Sequence, residues 1–209
     1  MIPARVERRL LVNFRADVDV AAARLPAAEQ PLVVDGSAVV GLCCLRMRLP
    51  GGLETDAVAH RIATERGVHI WRRDTSSRVT VLAGGRLFPG VHGHARMDVD
   101  EGPDGIHLRL DGDDGLGVDV AAVPATSLGG SLFPDLAAAT AFFARGSVGT
   151  SPRRDGTLEA VRLDAATFTL DPVRIEHARS TFYDAWPRAT VTLDHAALMR
   201  PTAVRWRVA

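Results

Sequence analysis

Lysine is absent from this chain of 209 residues, because all 25 of its Lys+Arg residues are arginine. A Schiff base requires a primary amine, so no side chain here can form an imine with a carbonyl substrate. Arginine instead offers a planar, permanently charged fork that binds a carboxylate through two hydrogen bonds. The composition therefore excludes lysine-based covalent catalysis and leaves anion binding open.

Cysteine is scarce, and the two that occur, Cys43 and Cys44, are adjacent. Neighbouring residues of a strand point to opposite faces, so we expect no disulfide between them. We interpret both as buried apolar residues in a reducing compartment. No histidine-paired cysteine motif surrounds them, which argues against a catalytic thiol.

Excess charge and long apolar runs are also missing. The formal net charge is +0, whereas a general nucleic-acid binder needs a basic surplus, so we expect no nucleic-acid partner. No apolar run is long enough for a signal peptide or a membrane span, so we expect a cytoplasmic protein with no membrane partner. The length and the 46% hydrophobic content are typical of a single domain, residues 1–209.

Strand patterns dominate what is present. Asp35 to Pro50, "DGSAVVGLCCLRMRLP", predicts a turn followed by a long apolar strand. "AHRIATERGVHIWRRD" predicts two strands joined at Glu65 to Gly67. "VHGHARMDVDEGPDGIHLRLDGDDGLGVDVAAV" contains three alternating runs separated by turn residues, which predicts a β-meander. Strand-like runs continue to "TAVRWRVA" at the end of the sequence.

Helical signals are fewer. "DVDVAAARLP" predicts a short helix capped by Asp17 or Asp19 and stopped at Pro26. "FPDLAAATAFFARGS" predicts a second helix, with Pro134 near its first turn and Gly146 past its end.

The stretch from Ser77 to Leu82 is ambiguous, because its β-branched residues favour a strand while Thr75 or Ser76 could cap a helix. The sequence predicts an α+β domain built mainly from antiparallel strands.

Two histidines two residues apart, His92 and His94, follow a Gly/Pro-rich turn in "GGRLFPGVHGHARM". On a strand they share one face, which is compatible with a metal site, with hydrogen-bonded structural histidines or with a role in a pocket. A metal site needs further ligands, for which the spacing offers His60, His69, Asp74 and Asp98 without requiring any of them. We therefore predict no metal and no cofactor.

"WRRDTSS" places two guanidiniums, a carboxylate and three hydroxyls directly after an apolar strand. Arg72 or Arg73 could clamp a substrate carboxylate. The alternative is an internal pair of an arginine with Asp74, followed by a helix cap.

Five stretches taken in order resemble the acetoacetate decarboxylase-like superfamily, and in particular its uncharacterised YqjF-like branch. They are "RRLLVNFRADVDVAAARLP", "VVDGSAVVGLCCLRMR", "RGVHIWRRDTSS", "GGRLFPGVHGHARMDV" and "AFFARGSVGTSP", from about Arg8 to Met199. The resemblance implies a cone-like antiparallel β-barrel with a few peripheral helices and a small, largely apolar internal cavity. It also implies a helix over residues 77–84.

Acetoacetate decarboxylases carry a Gly-Arg-Glu start, then a glycine, a proline and two adjacent lysines, of which the first forms the Schiff base. Gly85 and Arg86 match the first two positions, Leu87 stands at the glutamate, and Gly90 keeps the later glycine. Both the glutamate and the lysines are therefore missing.

The resemblance places His92 at the proline, Gly93 at the reactive lysine and His94 at the second lysine. If the lysine position faces the cavity, Gly93 faces it and the two histidines point away. A bulge or a one-residue slip would reverse this.

Two functions remain open. In the first, a cavity binds a small molecule, and His94 or His92 acts as general acid or base on an oxo acid or polyketide-like compound without an imine. The residues expected to contact the ligand are Arg72, Arg73, Asp74, Arg86 and Gly93. In the second, the domain is a non-catalytic binding or structural module that has lost the family active site. In either case the chain could form a homo-oligomer.

Overall fold

The computed structural model describes residues 2–84, 90–153, 155–199 and 201–208. Its strands are β1 (Ile2–Ala16), β2 (Val33–Val34), β3 (Ser37–Arg48), β4 (Glu54–Thr64), β5 (Gly67–Thr75), β6 (His92–Gly102), β7 (Gly105–Gly112), β8 (Gly117–Pro124), β9 (Val148–Pro152), β10 (Leu158–Ala165), β11 (Leu170–Ser180), β12 (Val191–Met199) and β13 (Thr202–Val208). Its α-helices are α1 (Val18–Ala22), α2 (Arg78–Ala83), α3 (Leu136–Arg145) and α4 (Thr181–Asp184), and a 3₁₀ turn covers Pro50–Gly52.

The strands form one sheet that closes on itself. Nine of them follow one another in the order β3-β4-β5-β6-β7-β8-β11-β12-β1, and β1 pairs back onto β3. All neighbours are antiparallel except β6 and β9, which both pair with β5 in parallel. This ring confirms the predicted α+β class and the mainly antiparallel barrel.

The sheet branches at β1 and β5, and this branching positions the candidate site. The start of β1 pairs with β13, while its later residues pair with β12. The start of β5 pairs with β9, while its end pairs with β6. A second closed path therefore runs β1-β13-β10-β9-β5-β4-β3. Strands β1, β3, β4 and β5 belong to both paths.

Side-chain alternation gives the shared strands two buried faces. Leu42 and Cys44 belong to a cluster inside the nine-strand ring, together with residues of β7 and β8. Val39 and Cys43 belong to a second cluster on the opposite face, which α3 covers with Phe142 and Phe143. A strand buried on both faces reads as a continuous apolar run, which explains "AVVGLCCL" in β3.

Most predicted turns occur where the sequence placed them. β4 and β5 are joined at Glu65 and Arg66, and β6, β7 and β8 form the predicted meander. Both cysteines are free and buried, as expected. α4 has no counterpart among the predicted helices.

The helix caps correct one detail. Asp17 caps α1, as one of its two predicted alternatives. The stretch left open between strand and helix is α2, and its N-cap is Ser77 rather than Thr75 or Ser76, because the Ser77 hydroxyl accepts from the Thr80 amide. In α3 the cap is Asp135, and Pro134 directly precedes it, near the first turn as predicted.

No helix in the described ranges is long and apolar enough to cross a membrane.

Candidate functional site

The end of β5 and the start of β6 lie side by side, which brings together the two stretches that the sequence singled out. Their parallel register pairs Arg73 with His92, Asp74 with Gly93 and Thr75 with His94. Parallel neighbours need a crossover connection, and the segment holding α2 supplies it. Alternation then divides the predicted site residues between the two faces of the sheet.

Arg72 and Asp74 form a closed ion pair on the face that Gly93 shares. Arg72 Nε and Nη2 donate to the two Asp74 carboxylate oxygens at 2.7 and 2.6 Å, and Arg72 also donates to both oxygens of Asp114 at 2.6 and 2.8 Å. The hydrogen bonds to Asp74 and Asp114 raise the pKa of Arg72, and they lower the pKa of Asp114 to about 2. Two carboxylates therefore already occupy this guanidinium.

Gly93 lies directly against that pair. A Cβ built at Gly93 would overlap Asp74 Oδ1 and would lie 3.3 Å from Arg72 Nη2. Asp74 is fully buried, so it has little room to move away. The position that the resemblance matches to the reactive lysine is therefore filled by the Arg72–Asp74 pair.

Arg73 and His92 lie together on the opposite face. His92 Nδ1 is 3.1 Å from the Gly90 carbonyl oxygen, which fixes Nδ1 as the donor and leaves Nε2 as the acceptor. Gly90 has φ +76°, and a Cβ there would overlap Arg73 Nη1. Burial first, and then the charge of Arg73, lower the pKa of His92 to about 4, so its imidazole is neutral at pH 7.

His94 reaches a different partner, since its Nδ1 lies 3.0 Å from Asp113 Oδ2 in the β7–β8 turn. Arg86, together with Gly85 and Leu87, lies outside the described residues. Within the described ranges, no three His, Cys, Asp or Glu side chains cluster in a way that could hold a metal ion.

Arg73 shares its face with a partly exposed patch of the sheet, which we call the Cys43 hollow and define by Arg9, Cys43, Ala59, Arg61 and Arg73. Cys43, Ala59 and Arg73 lie in register across β3, β4 and β5. Arg9 and Arg61 flank Cys43 diagonally. Ala59 remains partly exposed in the middle of the sheet, so there is open space above the floor of the hollow.

Two of these arginines contact groups other than carboxylates. Arg9 Nε donates to Cys43 Sγ at 3.3 Å, and its guanidinium lies 5.9 Å from the Phe168 ring. Arg61 donates to Asn13 Oδ1 at 2.6 Å and lies 5.1 Å from the Phe143 ring, while its buried Nε has no hydrogen-bond partner among the described residues.

Burial lowers the pKa of Arg61 and of Arg73 to about 10 each. The nearby charge of Glu159 acts on the pKa of Arg73 in the opposite direction. Glu159 itself accepts a hydrogen bond from Arg153 at 3.0 Å. The hollow is thus a partly desolvated region of positive charge.

A buried polar chain orients Arg61. Asn13 Nδ2 lies 3.0 Å from His195 Nε2, and His195 Nδ1 lies 2.5 Å from Asp194 Oδ2. Ser131 Oγ bonds to the Asp194 carboxylate and to His195 Nδ1, at 2.9 and 3.1 Å. Because Ser131 is on the Nδ1 side, the imidazole cannot activate it through Nε2, and this cluster serves to position Asn13 and Arg61.

A groove of about 580 Å³ lies beside the same chain, between residues 124–130 and strands β11 and β12. Its charged residues are already paired, Arg174 with Glu176 and Asp194 with His195. The groove is therefore a less favourable binding site for an anion than the Cys43 hollow.

The sequence did not identify Arg9, Arg61 or Cys43 as site residues. Each lies in an ordinary strand pattern, and the feature that unites them is cross-strand register, which no local motif encodes. The one available signal was the complete use of arginine as the basic residue.

Protein-family models and curated proteins give no match to this chain. Solved structures match over nearly all of it. The enduracididine biosynthesis enzyme MppR is 12% identical with a TM-score of 0.61, and the match covers 100% of this chain and 87% of that one. An acetoacetate decarboxylase from Legionella pneumophila is 12% identical with a TM-score of 0.59, covering 99% and 87%. An acetoacetate decarboxylase-like enzyme from Sphingomonas wittichii RW1 is 12% identical with a TM-score of 0.57, covering 97% and 90%. Identity at this level shows the fold, which is acetoacetate decarboxylase-like, and not the chemistry.

Proposed function

We propose that this domain of acetoacetate decarboxylase-like fold binds a small oxo acid, whose carboxylate is held by the arginines of the Cys43 hollow. The observation that carries the proposal is that Arg9, Arg61 and Arg73 share one face of the sheet around Cys43 and the partly exposed Ala59. Arg9 and Arg61 there contact sulfur, an amide oxygen and rings. A carboxylate would supply the planar partner that a guanidinium fork fits.

The energetics favour an anionic ligand. Burying a charge is costly, and burial lowers the pKa of Arg61, whose guanidinium contacts an amide oxygen and a ring. A bound carboxylate would offset that cost, since ion pairs strengthen where water is excluded. The hollow therefore suits a small anion better than a neutral ligand of the same size.

The structural neighbours suggest which anion to test. Two of the matching MppR structures contain pyruvate and the condensation product of pyruvate and imidazole 4-carboxaldehyde. Pyruvate combines a carboxylate with a ketone and fits the oxo acid class that the sequence suggested.

We further propose that catalysis, where it occurs, is proton transfer without an imine: enolisation, an aldol-type step or dehydration. His92 adjoins Arg73 through the β5–β6 register, and His94 follows on the same strand face. These histidines would carry the proton, while Arg72, Asp74 and Gly93 would form the fixed frame behind them. Arg86, outside the described residues, stays a proposed anion contact.

The wider assignments are proposals of the same kind. The five resembling stretches support membership of the YqjF-like branch, and one continuous sheet supports a single domain over residues 1–209. Free cysteines and the absence of excess charge support a cytoplasmic location. α2 exposes Val79 and Leu82 by 66% and 70%, which supports a homo-oligomer.

The alternative function is a binding or structural module without catalysis. It is favoured by Gly93, where the Arg72–Asp74 pair fills the space beside the position matched to the lysine. Under this alternative the ligand would bind in the hollow and leave unchanged.

Calorimetric titration with pyruvate tests the binding proposal. We expect Arg9→Gln and Arg61→Gln to raise the Kd about 10-fold or more, since a hydrogen bond to a charged group contributes about 1.5–3 kcal/mol. Arg174→Gln, at an exposed position paired with Glu176, is the matched control and should bind like the wild type. Acetone, which lacks the carboxylate, should not bind.

Deuterium exchange at the pyruvate methyl group, followed by NMR, separates the two functions. Catalysis is supported if the wild type exchanges the methyl protons and the His92→Ala/His94→Ala double variant still binds pyruvate but no longer exchanges them. Binding without exchange in the wild type supports the non-catalytic module. An absence of pyruvate binding, or equal affinity in all three arginine variants, contradicts the proposal.

A further inference from the structure

The two adjacent cysteines occupy opposite environments. Cys44 is fully buried inside the nine-strand ring, where burial first and then the neighbouring Cys43 raise its pKa to about 12. Cys43 lies on the other face, 8% exposed, on the floor of the hollow. One backbone step therefore separates a fully buried thiol from one that lies next to the partly exposed Ala59.

Arginines surround the Cys43 sulfur. Arg9 Nε donates to Sγ at 3.3 Å, and Arg61 and Arg73 share the face of the sheet on which Cys43 lies. A thiolate is the form in which cysteine acts as a nucleophile, and neighbouring arginines favour it.

A second observation points to a ligand at the same place. Arg61 is 3% exposed and its buried Nε has no hydrogen-bond partner among the described residues. Ser151, 2% exposed, also has a buried hydroxyl without a partner there. The Ser151 side chain lies beside Gly90, as the Arg73 guanidinium does. Buried polar atoms normally have hydrogen-bond partners. These unpaired donors therefore indicate that a bound ligand supplies the missing hydrogen bonds.

We propose that Cys43 forms a reversible covalent adduct with the carbonyl carbon of a small oxo acid bound in the hollow. This inference rests on the proposed function and adds a covalent step to it. The Cys43 sulfur would take the part that a lysine amine plays in an imine mechanism, in a chain that has no lysine.

The step balances without an oxidant or a cofactor. The thiolate electron pair forms a bond between sulfur and the carbonyl carbon, and the π pair of the C=O bond moves onto oxygen. The resulting oxyanion lies among guanidiniums and takes a proton from solvent, giving a neutral thiohemiketal. Reversal returns the proton, the ketone and the thiolate.

NMR with pyruvate labelled with ¹³C at C2 detects the adduct, because that carbon changes from trigonal to tetrahedral. We expect a protein-bound tetrahedral resonance in the wild type and in Cys44→Ser, and its loss in Cys43→Ser. Lactate, which has the carboxylate but no ketone, is the matched ligand control and should bind without an adduct.

Alkylation of the wild type by iodoacetamide, read by peptide mass spectrometry, needs no variant to fold. We expect Cys43 to react at least about 10-fold faster than Cys44, and pyruvate to slow Cys43 alone. Calorimetric binding of pyruvate without a tetrahedral resonance overturns this inference and leaves the proposed function standing. Absence of pyruvate binding overturns both this inference and the proposed function. A tetrahedral resonance that persists in Cys43→Ser overturns the assignment of the adduct to Cys43.

Discussion

At the scale of single residues, Gly93 depends most directly on its neighbours, because a methyl group there would overlap the buried Asp74 carboxylate. We predict that Gly93→Ala lowers the free energy of unfolding by about 1–3 kcal/mol, as overpacking does. Urea denaturation measures the change.

Gly102→Ala is the matched control, since Gly102 lies in the same strand and has nothing within 4 Å of a built Cβ. Both changes remove the same backbone freedom of glycine. Equal stability of the two variants would show that the Arg72–Asp74 pair does not fill the space beside position 93.

Residue identity alone does not distinguish Cys43 from Cys44. The sequence gives Cys43 and Cys44 the same apolar neighbours, and the expectation of two buried, unbridged thiols is confirmed. Their difference arises from strand alternation combined with the arginines of β1, β4 and β5. Those contacts come from segments far apart in the chain.

At the scale of elements, α2 forms in a stretch whose residues favour a strand, since Val79, Thr80 and Val81 are β-branched. The Ser77 cap favours a helix instead, and the parallel strands β5 and β6 require a crossover connection, which this helix provides. The structure assigns the cap to Ser77, one residue beyond the two predicted candidates.

We predict that Ser77→Ala destabilises the protein by about 1 kcal/mol, because the Thr80 amide loses its acceptor. Ser76→Ala is the control and should change the free energy of unfolding by less than about 0.5 kcal/mol. Thermal or urea unfolding of both variants provides the measurement. A larger loss in Ser76→Ala than in Ser77→Ala would contradict the assigned cap.

The meander, the hairpins and the helices α1 and α3 could be predicted from the sequence, because turn residues and hydrophobic period act locally. The parallel β5–β6 and β5–β9 pairings could not. They determine that Arg72 and Asp74 share a face with Gly93, whereas Arg73 shares one with His92.

At the scale of the whole molecule, buried histidines couple folding to pH, among them His60, His69 and His92. Burial lowers the pKa of His60 to about 3, with Arg72 adding to the effect, and lowers that of His92 to about 4. An unfolded histidine titrates near 6.5, so below this pH the unfolded chain binds more protons than the folded one. The stability from these groups is complete above pH 6.5 and is lost as the pH falls toward their folded pKa values.

We predict that the free energy of unfolding falls between pH 6.5 and 4.5 by roughly 2–3 kcal/mol for each fully depressed histidine. Urea denaturation across this range measures the slope. Asp114, with its pKa lowered to about 2, contributes to the slope mainly below this window, so the window isolates the histidines.

His60→Gln should flatten the slope whatever its effect on stability at pH 7. His177→Gln, at a side chain that is 53% exposed, is the control. An unchanged slope in His60→Gln would contradict the role of this histidine.

The sequence by itself determined the fold class, the absence of imine chemistry and the reliance on arginine, because each follows from composition or from local periodicity. It also singled out Arg72, Arg73, Asp74, His92, Gly93 and His94, in two separate stretches. Only the tertiary structure decided that the two stretches lie side by side, that Arg72 is closed into an ion pair, and that Arg73 shares a face with Cys43, Arg9 and Arg61. The physical reason is that register and sheet branching bring together residues of distant strands, and the resulting charges and burial are properties of the assembled face.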